Sequence, residues 1–369
     1  MNVAPLTRKA IGGSVSAPAG FRAAGIACGI KKTGALDLAL IVSDTPAAAA
    51  AVFTTNRAQA APVLVSKARL AASNGWARVV AINSGCANAC TGPEGLDTAE
   101  AMANVAANAA GAAPELALIA STGVIGVALD RERVTGGIAS AAAALGRDGG
   151  PAAARAIMTT DPFPKEAAVE PALLQRALAA VTDVTFNAIT VDGECSTNDC
   201  VFALANGASG VTIGEADFDV LVDALRGVCE PLAIGIVRGG EGATKLVTVE
   251  VTGARTAREA KQAARAIANS PLVKTAVHGA DPNWGRLIAV AGRAGVDFEL
   301  ERARVRIGDV ELFAGGRPYD DRAPLASAHL QGQDVTLHVD LGTGGSGAAR
   351  MWTCDLSADY VKINAEYRT

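Results

Sequence analysis

The sequence predicts a mixed α/β (α+β) fold, and three observations carry that expectation. Apolar runs of strand length recur along the chain, alanine-rich stretches with helical spacing lie between them, and turn residues bound both kinds of segment. In chain order, Leu36–Ser43 (LDLALIVS), Ala61–Ser66 (APVLVS), Ala77–Asn83 (ARVVAIN) and Leu116–Ser121 (LALIAS) have the apolar and branched composition of strands. Glu94–Ala110 and Val134–Leu145 read as helices, and Pro171 stands where a first-turn proline opens a helix over Ala172–Val181. Val184, Phe186, Ile189 and Val191 form a candidate strand that ends at the Asp192-Gly193 turn. Phe218–Cys229 again has helical spacing, and Thr256 followed by Glu259 is a capping box for a helix running to Asn269. Leu287–Gly292 (LIAVAG), Ala303–Phe313 (ARVRIGDVELF) and Asp334–Leu341 (DVTLHVDL) make the C-terminal region rich in strands.

Composition narrows the partners. A chain of 369 residues, half of them apolar, is long enough for two or three domains with substantial cores. A net charge of -4 supplies no basic stripe, and 4% aromatic residues supply few stacking platforms, so nucleic acid is not an expected partner and a small molecule is. The longest apolar stretch, Ala101–Ala120, is interrupted by Asn104, Asn108, Pro114 and Glu115, which makes it a poor membrane span. The N-terminal MNVAPLTRKAIGGSVS lacks the long apolar core of a secretory signal, and a cytoplasmic location is expected. The seven cysteines, Cys28, Cys86, Cys90, Cys195, Cys200, Cys229 and Cys354, are odd in number and dispersed, as in a chain whose thiols stay reduced. Neither Cys86 with Cys90 nor Cys195 with Cys200 has zinc-ribbon spacing, and the histidines lie far from both pairs, so no metal is expected.

The densest group of small polar residues is Phe186–Cys200, FNAITVDGECSTNDC. Carboxylates, hydroxyls and one amide follow an apolar stretch, which suits a site; the same residues also suit a turn whose side chains satisfy the backbone. This run resembles the TVDG-(D/E)-x-STND signature of the ornithine acetyltransferases, the bifunctional glutamate N-acetyltransferases of arginine biosynthesis. Other blocks resemble the same family in the same order: GIKKTGALDLALI from Gly29, VFTTNRAQAAPV from Val52, NSGCANACTG from Asn83, STGVIG from Ser121 and IMTTDPFPKEA from Ile157. IVRGGEGATK from Ile236, KTAVHGADPNWGR from Lys274 and DLSADYVKINAEYRT from Asp355 continue it. The resemblance implies a layered sheet-and-helix sandwich with a smaller C-terminal α+β domain. It divides the chain into an N-terminal region over 1–168, a middle region over 169–270 carrying the signature, and a C-terminal domain over 271–369.

One family feature is missing. Relatives carry a glycine-rich segment close to KGSGMIxPNMATML after the MTTD block and cut themselves before its threonine. Here MTTDPFPKEAA passes directly into VEPALLQRALAAV, and the methionines are only Met1, Met102, Met158 and Met351. The junction falls within 166–170, between flanks that both read as family sequence, so an internal deletion is the simplest account.

The resemblance also implies a chemistry. The threonine freed by self-cleavage, activated by its own α-amino group, attacks the acetyl carbonyl of N-acetylornithine, and the acetyl group passes to glutamate. That threonine and the lysine before it have no counterpart here. Thr122 and Gly123 match the family's oxyanion hole, where donors meet the developing negative oxygen; read alone, Thr-Gly is an ordinary turn pair. Thr160, with Thr159 as the weaker choice, matches a substrate-binding threonine, although either hydroxyl could cap the Asp161-Pro162 turn. Glu241 matches an acidic substrate contact and suits the amino group of ornithine, while Asn364 and Thr369 match C-terminal contacts. Relatives commonly have Asp before GEG, whereas this chain has Gly239 and Gly240. No cofactor is expected; acetyl-CoA as a second acetyl donor is left open. N-acetylornithine and glutamate are the expected small-molecule partners, and the family implies a homo-oligomer built from cleaved chains that stay together. Two other readings stay open: a non-catalytic relative that binds ornithine or acetylated amino acids, and a metal-dependent hydrolase using Asp192, Glu194 and Asp199 with Cys195 or His278 nearby.

Overall fold

A computed structural model describes residues 14–157 and 168–366. The chain divides into two compact units, the first made of the described residues up to Thr182 with Cys195–Leu232, the second of Asp183–Glu194 with the described residues from Ala233 onward.

In the first unit the elements run β1 (Phe21–Ile26), β2 (Leu38–Phe53), α1 (Ala61–Ala72), β3 (Trp76–Cys86), α2 (Gly92–Ala109), β4 (Ala117–Val124), α3 (Arg131–Ala143) and α4 (Gly150–Ile157). After these come β5 (Ala168–Val169), α5 (Pro171–Val184), β6 (Cys200–Ala205), β7 (Thr212–Ile213) and α6 (Phe218–Arg238), the last continuing into the second unit. The main sheet has the order β1-β2-β3-β4, with β6 pairing the second half of β2, and β5 and β7 form a separate parallel pair. β1, β2 and β3 are antiparallel neighbours, whereas β3 and β4 are parallel and β4 forms the edge among the described residues.

Side-chain alternation builds the layers. Leu38, Leu40 and Val42 of β2, with Val79 and Ala81 of β3 and Ile119 of β4, face Met102, Ala103 and Ala106 of α2 and Val134, Ile138 and Ala141 of α3. The intervening Ala39, with Ala23 of β1, turns the opposite way onto Ala153 and Ala156 of α4, the period-two switch that a strand imposes. Farther along β2, Ala48 and Ala50 pack with Leu173, Leu174, Ala177 and Leu178 of α5 and Leu221 of α6. The many alanines on helix faces let those helices approach the sheet closely without large cavities.

The second unit continues with β8 (Leu246–Ala254), α7 (Ala257–Ala268), α8 (Pro271–His278), α9 (Trp284–Gly292), β9 (Arg304–Ile307), β10 (Val310–Ala314) and β11 (Arg317–Pro318). It closes with α10 (Ala323–Leu330), β12 (Asp334–Asp340), β13 (Gly347–Cys354) and α11 (Ala358–Glu366). Its sheet runs β11-β10-β9-β12-β8-β13, with only β12 and β8 parallel. Val247, Val249 and Val251 of β8 and Val335, Leu337 and Val339 of β12 form one inward row against Ala260, Ala263, Ala264 and Ile267 of α7 and Leu287 and Val290 of α9. The Thr256 hydroxyl caps α7 by accepting from the Glu259 N–H at 3.2 Å, as the capping-box spacing predicts.

The mixed architecture agrees with the fold class expected, and three local expectations are corrected. Ala61–Ser66 begins helix α1: Pro62 sits in its first turn, and the branched Val63 and Val65 that suggest a strand are buried helical positions. Leu287–Gly292 lies in α9, where Leu287, Val290 and Ala291 fall at i, i+3 and i+4; a six-residue apolar run has no periodicity long enough to separate the two states. Val184 ends α5, Phe186–Ala188 is a single 3-10 turn, and Ile189 makes only an isolated bridge to Trp352. All seven cysteines are free thiols.

The β1–β2 connection is pinned by a buried carboxylate. Asp37 accepts from the backbone N–H groups of Cys28, Ile30 and Lys31 at 2.7, 2.7 and 2.9 Å. Burial pushes its pKa upward, but these donors outweigh it and hold the carboxyl below the usual range. A carboxylate with a depressed folded pKa adds stability that is complete above its unfolded value of about 3.9 and is lost as pH falls through the folded one. Asp37→Asn, which turns an amide NH2 towards backbone donors, is expected to lower stability by about 3 kcal/mol at pH 7 and by less near pH 3. Urea melts of both proteins at the two pH values check this.

Candidate functional site

The signature run is split between the units, Cys195 onward in the first and the residues up to Glu194 in the second. In the first unit, the ends of β3 and β4 meet the loop Cys195–Asp199. Ser84, Gly85 and Cys86 pair with Thr122, Gly123 and Val124 in parallel register, and the Ala87 N–H donates to the Val124 carbonyl at 3.0 Å. Carried back two residues, this ladder turns the Thr122 carbonyl towards β3. Carbonyl and N–H of one trans peptide point in opposite directions, so the Gly123 N–H faces the open side of β4, with the exposed Thr122 side chain beside it.

The chain takes unusual conformations to reach this arrangement. Gly123 has φ +130°, and a Cβ there would lie 2.4 Å from the Gly85 carbonyl carbon, so only glycine fits. Asn88 and Cys90, just after β3, are non-glycine residues at φ 48° and 57°. The buried Asn88 amide donates to the Gly95 carbonyl at 2.8 Å and accepts from the Thr91 hydroxyl at 2.7 Å, which holds the strained turn.

Hydrogen bonds anchor the loop to the strand ends. The Asn198 Nδ2 donates to the carbonyls of Ala87 and Ser121, each at 2.7 Å, and its Oδ1 accepts from the Thr197 hydroxyl at 2.6 Å. The buried Asn83 amide accepts from the Ser121 hydroxyl at 2.6 Å and donates to the Cys86 carbonyl at 2.9 Å. Thr54, past the end of β2, donates its N–H to the Asp199 carbonyl at 2.8 Å and its hydroxyl to the Ser196 carbonyl at 2.6 Å. The polar-turn reading of this loop is therefore correct for Asn198, and the turn it satisfies is the one that bears Thr122 and Gly123.

In the second unit Glu241 and Asn364 come together: the Asn364 Nδ2 donates to Glu241 Oε2 at 2.7 Å and to the Tyr360 carbonyl at 3.0 Å. The Tyr360 hydroxyl donates to Asp192 at 3.1 Å; burial first, then the charges of Asp192, Glu241 and Glu194, push its pKa upward. Gly242, at φ +66°, brings the Glu241 loop so close to α11 that a Cβ would lie 2.4 Å from the Tyr360 nitrogen. Beneath it the buried Asp355 accepts from the N–H groups of Thr244 and Lys245 at 2.7 and 2.9 Å, from the Thr244 hydroxyl at 2.6 Å, and pairs with His278 Nδ1 at 2.6 Å. Burial works to raise the Asp355 pKa, but these partners hold it below the ordinary range. Lys274, 4% exposed, donates to the Val191 carbonyl at 2.8 Å and the Thr353 hydroxyl at 3.0 Å, and burial lowers its pKa.

Of the residues expected from sequence, Thr122 and Gly123 belong to the first unit and Glu241 and Asn364 to the second, while Thr159, Thr160 and Thr369 lie outside the described residues. Sequence reasoning gave no role to Asn83, Tyr360 or Asp355. An asparagine inside the apolar run Val79–Asn83 was the available signal for a buried amide. Burial pushes the Cys28 and Cys200 thiols up to about 12, so neither is a thiolate near neutral pH. Among the described residues no three of His, Cys, Asp and Glu are grouped to hold a metal, and no helix is long and apolar enough to cross a membrane. Two surface recesses, of about 460 and 210 Å³, are lined by Ile288, Val296 and Phe298 and by Arg304, Arg306 and His338, and include none of these site residues.

Comparison with known proteins covers nearly the whole chain. The model of the ArgJ family matches in two stretches, residues 22–171 and 165–369. The Symbiobacterium thermophilum protein named arginine biosynthesis bifunctional protein ArgJ is 44% identical over 402 residues, covering 97% of this chain and 99% of its own length. The protein of the same name from a Synechococcus species is 45% identical over 410 residues, covering 97% and 98%. A solved structure of arginine biosynthesis bifunctional protein ArgJ from Bacillus halodurans is 43% identical and superposes with a TM-score of 0.53, covering 55% of this chain and 96% of that one. Both sequence alignments run over more residues than the 369 present here, so these relatives carry residues with no counterpart. The two family matches meet at 165–171, where sequence reading puts the missing segment.

Gly123→Ala is expected to lower stability by about 1–3 kcal/mol, because both a left-handed φ and a backbone clash oppose the new methyl group. A shift in the urea midpoint with unchanged slope checks it; an unshifted midpoint would refute the tight approach of β3 and β4.

Proposed function

The chain belongs to the ArgJ family, and from that premise we propose that its architecture serves acetyl transfer from N-acetylornithine to glutamate in arginine biosynthesis. The observation that carries this reading is the Thr122–Gly123 pair at the open edge of β4, where the Gly123 N–H faces outward next to an exposed hydroxyl. Two donors of that kind suit the oxygen of an acetyl carbonyl as it becomes negative. Glu241, held by Asn364, supplies a carboxylate for an amino group of ornithine. Thr159, Thr160 and Thr369 complete the substrate contacts in this reading, and Thr160 is the preferred threonine of the pair. The work is cytoplasmic and needs no bound cofactor, and the folded protein assembles into a homo-oligomer. Acetyl-CoA serves as a second donor to glutamate where the pocket admits it.

The 369-residue chain keeps these groups and lacks the threonine that would attack. Without that residue and its freed α-amino group there is no acyl acceptor on the protein, so this form stays uncut and holds its ligands without turnover. Intact mass under denaturing conditions, titration with N-acetylornithine and an assay for released ornithine test this together. The expected results are one species at 37.0 kDa, measurable binding heat and no ornithine. Glu241→Gln should weaken that binding at least about tenfold, the effect of about 1.4 kcal/mol lost from one charged contact. Two fragments, or ornithine release by the uncut chain, would overturn the uncut, inactive form; absence of binding heat would overturn the substrate reading.

A further inference from the structure

Asn198 sits where it can decide how well Thr122 and Gly123 receive a carbonyl oxygen. We propose that it is a positioning residue for that pair, acting through the Ser121 carbonyl; the inference rests on the reading of Thr122 and Gly123 just given.

The Ser121 carbonyl and the Gly123 N–H project from the same side of the strand, away from β3. A carbonyl oxygen left bare there would set its negative end next to the oxygen that Gly123 is to stabilise, and would oppose charge building up on it. Asn198 Nδ2 covers that carbonyl at 2.7 Å and uses its second hydrogen on the Ala87 carbonyl, also at 2.7 Å. One planar amide therefore joins the segment after β3 to the last turn-out of β4 and fixes the angle between them. Its orientation is chemically determined: two carbonyls on one side require the NH2, and the Thr197 hydroxyl at 2.6 Å donates to the oxygen on the other.

The amide is itself held in place. The Asn198 N–H donates to the Ser196 hydroxyl at 3.1 Å, and the Ala60 N–H donates to the Thr197 carbonyl at 3.1 Å. From the inner side, Asn83 takes the Ser121 hydroxyl, so Ser121 is gripped at its side chain by one asparagine and at its carbonyl by another. Asn198 touches no reacting atom in this arrangement; it sets the direction of the peptides that do.

The test uses the whole chain and N-acetyl-L-ornithine labelled with 13C at the acetyl carbonyl, read by isotope-edited infrared difference spectra. Polarisation by Thr122 and Gly123 should place the bound carbonyl band below its free frequency in the unaltered protein. Asn198→Ala should bind the ligand with the band moved back towards the free value. Thr197→Val, which removes only the hydroxyl that orients the amide, should move it the same way by less. A purely structural Asn198 would lower the urea midpoint and leave the band where it is, and that result in a folded Asn198→Ala overturns the inference. If Asn198→Ala does not fold, Thr197→Val decides, and an unmoved band again overturns it. A band at the free frequency in the unaltered protein would remove the oxyanion reading and this inference with it, whereas a shifted band indifferent to both substitutions removes this inference alone.

Discussion

A strand at the edge of a sheet keeps one row of N–H and carbonyl groups that no neighbouring strand satisfies. In this protein that strand is β4, paired with β3 on one side and open on the other among the described residues. Several polar contacts of the first unit answer that condition. The outward carbonyl of Ser121 is taken by Asn198, the Ser121 hydroxyl by Asn83, and the turn beyond β3 holds left-handed Asn88 and Cys90 through side-chain bonds. The loop Cys195–Asp199 is drawn across the strand ends because its side chains and carbonyls are the partners those ends require. Among the described residues the Gly123 N–H side of the strand meets no further strand, so it is the part of the edge that Asn198 leaves open.

The second unit solves a similar problem with charge. Asp355 is buried at the end of β13 and gathers donors from the loop that carries Glu241 and from His278 at the end of α8. A buried carboxylate with three such partners is far less expensive to desolvate than a bare one, and it anchors the loop firmly. Lys274 lies on the same helix as His278 and is buried among carbonyl and hydroxyl acceptors, which binds the stretch Thr190–Val191 to β13. The exposed groups Glu241, Asn364, Tyr360 and Asp192 rest on this foundation.

Each of these networks draws on its own unit. Among the described residues, the contacts given for Thr122 and Gly123 come from β3, β4, the segment after β3 and Cys195–Asp199, and those given for the Glu241 loop come from α8, Asp355 just past β13, and α11. Each arrangement is therefore held by contacts local to its own unit.

Much was legible before any coordinates. The apolar runs of β2, β3, β4 and β12, the helix spacing of α2 and α5 and the Thr256 cap of α7 are local properties, and local properties leave a trace in sequence. The blocks around Thr122 and Glu241 were readable because each is short and chemically distinctive. Tertiary structure decided the rest. Ala61–Ser66 and Leu287–Gly292 carry branched apolar residues that either state can bury, and only packing against β4 or β9 made them helices. The roles of Asn83, Asn198 and Asp355 depend on partners 38, 77 and 111 residues away. A hydrogen bond between distant residues leaves no periodicity in the chain; it exists only once the fold has brought donor and acceptor within reach.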